Sequence, residues 1–336
     1  MDSLSHIAVG ACIGELVAGK RLGKKAMVIG ALAQSIPDID CVTSTWMTVA
    51  SDLLAHRGFT HSILFMLLIS PILAWCSKRL FSKQAISFNS WMFIWGVQIF
   101  MHLFLDIFNV YGTGLFEPFS HYRVSLNTFF VLDPLFSIWP VIAMVALIIL
   151  KQTNPVRNKI IVAALGISSL YMLNSVYHKL YVDRKIEAGF VKQNMHIDRY
   201  FTTPTALNNI LWYVVAQSDS GFYIGYRSVL DRQENIQYRF IAKKDELFNE
   251  VADTIELARL KRFSQGYYVA NRYNDTLVFN DLRFGEMTAG LLPDPRFSFY
   301  YYLQPKASND VIIQRGRFCG WDKHVISLFV NRLMGR

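Results

Sequence analysis

The chain is short of the residues that build extracellular scaffolds and zinc ribbons. It has four cysteines in 336 residues, Cys12, Cys41, Cys76 and Cys319, with no CxxC pair among them, which argues against a zinc-ribbon site. Cys12 and Cys76 fall in apolar runs and read as packing residues. Whether Cys41 and Cys319 pair cannot be read from spacing. No basic leader precedes the first apolar stretch, where Asp2 and His6 stand instead. No cleavable signal peptide is therefore expected, and the mature chain is expected to begin at or near Met1. There is no internal repeat and no low-complexity segment.

What the sequence has in excess is apolar surface. Hydrophobic residues make up 52% and aromatics 14%, above a typical soluble domain, and the long apolar runs are confined to residues 1–180. Residues 7–19 and 26–36 are short runs, read as a helical hairpin because each falls below the ~20 residues of a full span. Residues 63–76, 91–110, 129–150 and 160–177 are the longer candidates. The formal net charge of +9 could point to nucleic acid. Much of the basic charge, however, sits in short loops at 20–25, 78–83 and 151–159, where it sets membrane topology, so no nucleic-acid partner is expected. A single arrangement satisfies all three loops: they are cytoplasmic, while the N-terminus, segments 37–61 and 111–128 and the C-terminal half lie outside.

Residues 184–336 read differently. Segments 222–229, 237–242, 266–272, 276–279, 297–304 and 311–315 are short, aromatic and β-branched, as strands are. Residues 245–262 read as one amphipathic helix, and 322–334 as a closing helix. The expected fold is an α-helical membrane domain over 1–182 followed by an α+β extracytoplasmic domain over 183–336 that contributes no metal ligand, with His196 and His324 as ordinary residues.

The chemistry-bearing residues concentrate in the apolar half. His102 and Asp106 lie four apart on one helix face, and an Asp at the centre of a span costs about 2.5–3.5 kcal/mol, so something must compensate it. The segment Pro37-Asp38-Ile39-Asp40 puts two carboxylates on one side if extended, although Asp after Pro also suits a turn. His56 and His61 bracket Arg57-Gly58-Phe59-Thr60, where Gly58 is expected to break the backbone. Arg57 could pair with an acid or contact a phosphate. With the topology above, His6, Asp38, Asp40, His56, His61 and, deeper, His102 and Asp106 collect toward the outer face. Mixed imidazole and carboxylate donors suit Zn²⁺, with Mn²⁺ or Fe²⁺ also accommodated. Asn109, Arg123 and Asp133 lie beside the outer loop; Asp133 reads as the cap of a helix opening at Pro134.

These motifs resemble the membrane-bound, metal-dependent hydrolase family of bacteria and archaea, which includes LexA-regulated inner-membrane proteins. The matching features are His6, Pro-Asp-Ile-Asp at 37–40, His-Arg-Gly-Phe-Thr-His-Ser at 56–62, His102-x-x-x-Asp106, and Thr203-Pro204-Thr205 through Asn209 to Trp212. A weaker similarity is to zinc-dependent phospholipase C and related single-strand nucleases, which follow the same His, Asp, His, His-x-x-x-Asp order; His121 is a candidate for one of their further ligands. The resemblance implies a hydrolase at the membrane–water boundary. Its metal set would be drawn from His6, Asp40, His56, His61, His102 and Asp106. Asp38 or Asp40, whichever is not a ligand, would take a proton, and Arg57 and Arg123 would face a phosphate. The substrate would be an ester or phosphodiester of a lipid or lipid-linked molecule. The alternatives are a non-enzymatic membrane protein with a structural metal or polar site and a partner-binding C-terminal domain, or a metal or proton transporter, which the missing inverted repeat disfavours.

Overall fold

The computed structural model describes residues 1–233, 235–251, 253–273, 276–292, 296–303 and 321–336. They form two compact units. One comprises residues 1–43, 55–126 and 131–174, and the other residues 44–54, 127–130 and 175–336.

The first unit is helical. α1 (Ser3–Leu22) starts where the Asp2 carboxylate accepts from the Ser5 amide at 3.0 Å and ends at Gly23, whose φ of 59° only glycine adopts cheaply. α2 (Lys25–Ser35) folds back along it. The two backbones touch: a Cβ on Gly30 would lie 2.0 Å from the Gly10 carbonyl oxygen, so glycine at this crossing is a steric requirement, as in other small-residue helix contacts of membrane proteins. The expected hairpin is present but unequal. α1 outruns its apolar core by taking in Lys20 and Arg21, whereas α2, at 11 residues or roughly 16 Å, is too short to span. α3 (Val49–Ala55) falls almost wholly in the second unit; in the first, α4 (Ile63–Leu80) contains Pro71 and α5 (Phe88–Asp106) returns beside it. α6 (Pro134–Ile149) is capped by Asp133, which accepts from Leu135 N at 3.0 Å, as its place before proline predicts.

Three helices, α4, α5 and α7 (Val156–Lys192), are long and apolar enough to cross a membrane. α5 is the most enclosed of them, with 44% of its apolar stretch buried against 17% for α4 and 22% for α7. Exposed apolar side chains, such as Leu67, Leu68 and Ile72 on α4, Phe93 and Phe100 on α5, and Leu170 and Leu173 on α7, present the surface that lipid accepts. Cys12 is buried as expected, but Cys76 lies on the exposed side of α4. Cys319 falls outside the described residues, and with it the question of its pairing with Cys41.

α7 runs for 37 residues, past the expected domain boundary at 182/183. Asp183-Arg184-Lys185 does not stop it, because these residues are compatible with a helix and Asp183 pairs with Lys179 one turn back at 3.1 Å.

The second unit holds two antiparallel meanders, β1–β2–β3–β4 and β5–β6–β7. The first comprises β1 (Arg199–Pro204), β2 (Leu211–Ser218), β3 (Gly221–Ser228) and β4 (Arg239–Ala242); the second comprises β5 (Tyr268–Tyr273), β6 (Thr276–Glu286) and β7 (Phe297–Leu303). Among the described residues, Trp212, Tyr213, Phe129, Phe222, Phe263 and Phe279 are its largest fully buried side chains. Four expected strands lie within a few residues of β3, β4, β5 and β7, a fifth is the start of β6, and the sixth, 311–315, lies outside the described residues. β1 and β2 were not expected. The helix expected over 245–262 is divided. A 3-10 turn covers Asp245–Glu250 and α8 spans Thr254–Phe263, because Asp253 accepts from the Glu256 amide at 2.9 Å and starts a new helix. Segment 44–54 belongs to this unit: Thr48 Oγ1 donates to Glu256 Oε1 at 2.7 Å. α9 (Lys323–Leu333) closes the chain, capped by Asp322. His196 and His324 are exposed.

Candidate metal centre

Four local structures deliver the polar side chains of the first unit. His6 sits on the opening turns of α1. Asp38 and Asp40 lie in a 3-10 turn, Pro37–Thr45. His61 ends the short 3-10 turn Phe59–His61, and His102 and Asp106 occupy the last turns of α5. The turn between His56 and His61 is shaped by Arg57 as well as by Gly58. Arg57 itself adopts φ 57°, a conformation costly for a branched-out side chain unless its surroundings fix it.

Two triangles of donor atoms share the His61–His102 edge. His61 Nε2 and His102 Nε2 are 3.1 Å apart. Asp106 Oδ2 lies 3.3 Å from the former and 3.4 Å from the latter. Asp38 Oδ1 lies 3.5 Å and 3.6 Å from the same two nitrogens. Donors around one tetrahedral ion at ~2.0–2.2 Å are separated by about 3.3–3.6 Å, so either triangle has the spacing of a ligand set. His6 joins from behind: His6, His102 and Asp106 each offer a donor atom within 4.8 Å of the others, as do Asp38, His61 and His102. The His6 and His102 rings stack with centroids 3.8 Å apart.

Hydrogen-bond partners fix which ring nitrogens face the centre with a lone pair. His102 Nδ1 lies 2.6 Å from the Gln34 carbonyl oxygen. A carbonyl only accepts, so Nδ1 carries the proton and Nε2 presents its lone pair. Thr60 donates its hydroxyl to Asp40 Oδ2 at 2.8 Å, and His61 Nδ1 lies 3.1 Å from that hydroxyl oxygen and 3.2 Å from Asp40 Oδ2. Its Nδ1 is therefore the donor, and again Nε2 faces inward. Two imidazole lone pairs and two carboxylate oxygens thus converge. Among the described residues, Asp106 Oδ2 accepts no hydrogen bond although it is fully buried. Four acceptors cannot remain so close without a cation or a proton between them.

The two early aspartates divide the work because their segment is helical rather than extended. In a 3-10 turn, residues two apart point in different directions, so Asp38 faces the Nε2 pair while Asp40 faces away from it. Asp40 accepts from His56 Nδ1 at 2.9 Å, the Arg57 amide at 2.9 Å and Thr60. The expectation that Asp40 and His56 are ligands is corrected accordingly: both Asp40 oxygens are engaged, and His56 sits on the far side of that carboxylate. Arg57 is likewise committed. Its Nη1 donates to Asn109 Oδ1 at 2.7 Å and its Nη2 to the Met1 carbonyl at 3.1 Å, and its Nε lies 3.4 Å from Asp106 Oδ2. It is a buried counter-charge to Asp106 rather than a group open to a phosphate. The Met1 amino group also pairs with Asp106 Oδ1. Arg123 is bound to the carbonyls of Gly112 and His56, and His121 is exposed and pairs with Glu117.

Electrostatics follow from this packing. When the imidazoles carry protons in place of an ion, burial raises the Asp38 carboxyl, but a hydrogen bond from His61 and positive charge on His102 and His6 outweigh it and hold the group at about 2. Asp40 is held well below the usual carboxylate range against its burial by His56 and His61. His61 is pushed the other way: burial lowers it, and Asp106, Asp38 and Asp40 together raise it to about 10.

Two supporting residues were not expected. Gln34 bonds His6 Nδ1 through its side chain at 3.2 Å and holds His102 through its backbone, and Gln98 reaches from α5 to the Gly10 carbonyl at 3.1 Å. The available signal was an amide within each of two apolar runs, near the end of 26–36 for Gln34 and mid-run in 91–110 for Gln98.

A family model described as the YdjM inner membrane protein matches residues 1–182, the stretch that carries the whole centre. The chain belongs to the YdjM inner membrane protein family. With the three candidate spans, this makes it an inner-membrane protein. Among relatives of the YdjM-family chain, the uncharacterized protein YfhP of Bacillus subtilis (strain 168) is 35% identical over 144 residues, 40% of this chain and 42% of that protein. The chain thus matches less than half of YfhP's length. The inner membrane protein YbcI of Escherichia coli (strain K12) is 25% identical over 164 residues, 48% of this chain and 87% of YbcI. No solved structure matches.

Proposed function

We propose that this protein is a membrane-bound, metal-dependent hydrolase acting on an ester or phosphodiester of a lipid or lipid-linked substrate. One observation carries the reading: His61 Nε2, His102 Nε2, Asp106 Oδ2 and Asp38 Oδ1 converge as acceptors at ligand spacing. The residues fit a divalent transition ion, zinc foremost and manganese or iron by the same donor chemistry. His61, His102, Asp106 and Asp38 would hold it, with His6 beside them. Bound there, the ion would supply Lewis-acid activation of water and of the scissile group.

The chain's own groups do the rest. Asp40 and the Gln34 carbonyl lock the two imidazoles with Nε2 inward. Arg57, held by Asn109, balances the charge of Asp106. Asp38 is the exposed member, with 22% of its side chain accessible while Asp106 and both histidines are sealed. Solvent and substrate would reach the centre on its side, with Asp38 serving as the solvent-facing ligand. Ile39 (61% exposed) and Val42 (48%) share the 3-10 turn of Asp38, and Phe59 (45%) that of His61, apolar side chains suited to a lipid. The positive-inside distribution assigns the centre and the C-terminal unit to the extracytoplasmic face.

The competing reading is a metal-free polar lock in which His61, raised to about 10, is the cation. The test is metal content and hydrolysis of phosphodiester and lipid ester probes by the purified protein, compared with His61→Ala. Stoichiometric metal and an activity that His61→Ala abolishes support the hydrolase. Metal-free, inactive protein supports the lock.

A further inference from the structure

The second unit contains a cleft of about 540 Å³ between the β4 edge and the β5–β7 sheet. We propose that it binds a phosphorylated polyol, a phosphoester carried on a sugar or glycerol. This stands independently of the metal centre.

Charge is the first reason. Arg239, Lys244, Arg272 and Arg296 line the cleft, and among the described residues no carboxylate does. Two of the arginines are pre-positioned by acids behind them, Arg239 by Glu286 and Arg272 by Glu250. Counting those acids, two positive charges remain, enough to neutralise the phosphate of a mono- or diester. Fixed guanidinium groups suit phosphate oxygens because little side-chain freedom is lost on binding. Lys244, two residues past β4, is exposed and adopts φ 54°, a strained conformation for a lysine.

The second reason is a buried amide with nothing to bond. Asn280 is 94% buried on β6, and among the described residues its Nδ2 has no hydrogen-bond partner, yet Asn280 lines the cleft. An orphaned buried donor is costly, and a ligand hydroxyl or phosphate oxygen would satisfy it. The third is the wall. Phe240 and Tyr273 are both more than 40% exposed within the cleft, and Arg296 stacks on the Tyr273 ring at 4.2 Å. Exposed aromatic faces beside cations present an apolar surface for the carbon face of a polyol while the phosphate meets the arginines.

Two sources carry this chemistry: a soluble sugar phosphate and the phosphoglycerol headgroup of an anionic lipid. The experiment uses the full chain in a neutral detergent. Its binding of glucose 1-phosphate, glucose, inorganic phosphate and uridine monophosphate is measured by thermophoresis, and its binding of phosphatidylglycerol and phosphatidylcholine nanodiscs in parallel. The expected result is saturable binding of glucose 1-phosphate or of phosphatidylglycerol, at least about tenfold tighter than inorganic phosphate or phosphatidylcholine respectively. The double variant Lys244→Gln/Arg296→Gln, both surface residues, should weaken that binding by about tenfold or more. Which arm responds identifies the source. Binding of both no tighter than their controls, or binding unchanged in the double variant, overturns the proposal. Uridine monophosphate binding tighter than glucose 1-phosphate, with the same sensitivity to the double variant, overturns the polyol in favour of a nucleotide.

Discussion

His61 Nε2 and His102 Nε2 face each other across 3.1 Å with their protonated Nδ1 atoms turned outward. The relationship is built from remote parts of the chain: a turn that precedes α4 places one ring, and the end of α5 places the other. Asp40 and the Gln34 carbonyl hold both rings from outside, so what lies between them is a site for a positive charge. The account turns on whether that charge is a metal ion or a proton.

The centre should respond unequally to substitution. His102→Ala and Asp106→Ala each remove an inward donor and should abolish stoichiometric metal binding. Asp40→Asn leaves the donors in place but loosens the His61 ring, and should weaken affinity by about 10- to 100-fold. His56→Ala should change affinity less than Asp40→Asn does. Titration of each variant with zinc under a competing chelator reads the order; equal loss in His56→Ala and His102→Ala would contradict the assignment.

Proton release gives an independent measure. With His61 raised to about 10, the metal-free centre holds a proton on that ring throughout the neutral range. Its folded-state value lies above the unfolded one, so this proton stabilises the metal-free fold fully below the ordinary histidine range and ceases to do so as pH rises through about 10. An ion must displace the proton. Binding at pH 8 should therefore release about one proton per ion, and affinity should fall roughly tenfold per pH unit on acidification from there. A weakly buffered titration that releases almost none would show that His61 is already neutral.

The α1–α2 crossing offers a purely steric test. Gly30→Ala places a methyl 2.0 Å from the Gly10 carbonyl oxygen, so the helices must separate. The expected cost is roughly 1–3 kcal/mol. Because His6 and Gln34 ride on these helices, metal affinity should fall with it. Thermal unfolding in detergent, with and without zinc, checks both; an unshifted midpoint would contradict the close crossing.

Topology can be tested apart from chemistry. By the positive-inside rule, the basic loops at 20–25, 78–83 and 151–159 predict a C-terminus outside the cytoplasm. An alkaline phosphatase fused after Arg336 should be active, and a green fluorescent protein fused there dark. The reverse pattern would move the centre and the C-terminal unit to the cytoplasmic side.

Much of the centre was legible because burying charge in an apolar run demands a reason. Asp106 and His102 stood out on that ground, and their four-residue spacing placed them on one face. The separate roles of Asp38 and Asp40 were not legible. Extended and 3-10 backbones send residues two apart to the same or different sides, and tertiary packing chose the second. His56 matches His61 in type and neighbours, so sequence does not separate them; in the fold the Asp40 carboxylate meets His56 through one oxygen and His61 Nδ1 through the other. In the C-terminal unit, Leu211–Ser218 carries the apolar and β-branched run of a buried strand and could have been read as one. Arg199–Pro204 ends in proline, which masks a strand edge. The break before α8 depends on whether Asp253 caps or is carried through, a choice that side-chain spacing alone does not make.

Elemental analysis of the purified protein bears most directly on the central claim. Protein extracted in neutral detergent without chelator, alongside the double variant His61→Ala/His102→Ala, should contain at least one transition ion per chain, while the double variant, verified as folded by its thermal transition, contains none. Wild-type protein that is folded, free of transition metal and unable to acquire zinc on titration would mean that the charge between His61 and His102 is a proton, and would contradict the metal centre and the hydrolase reading together.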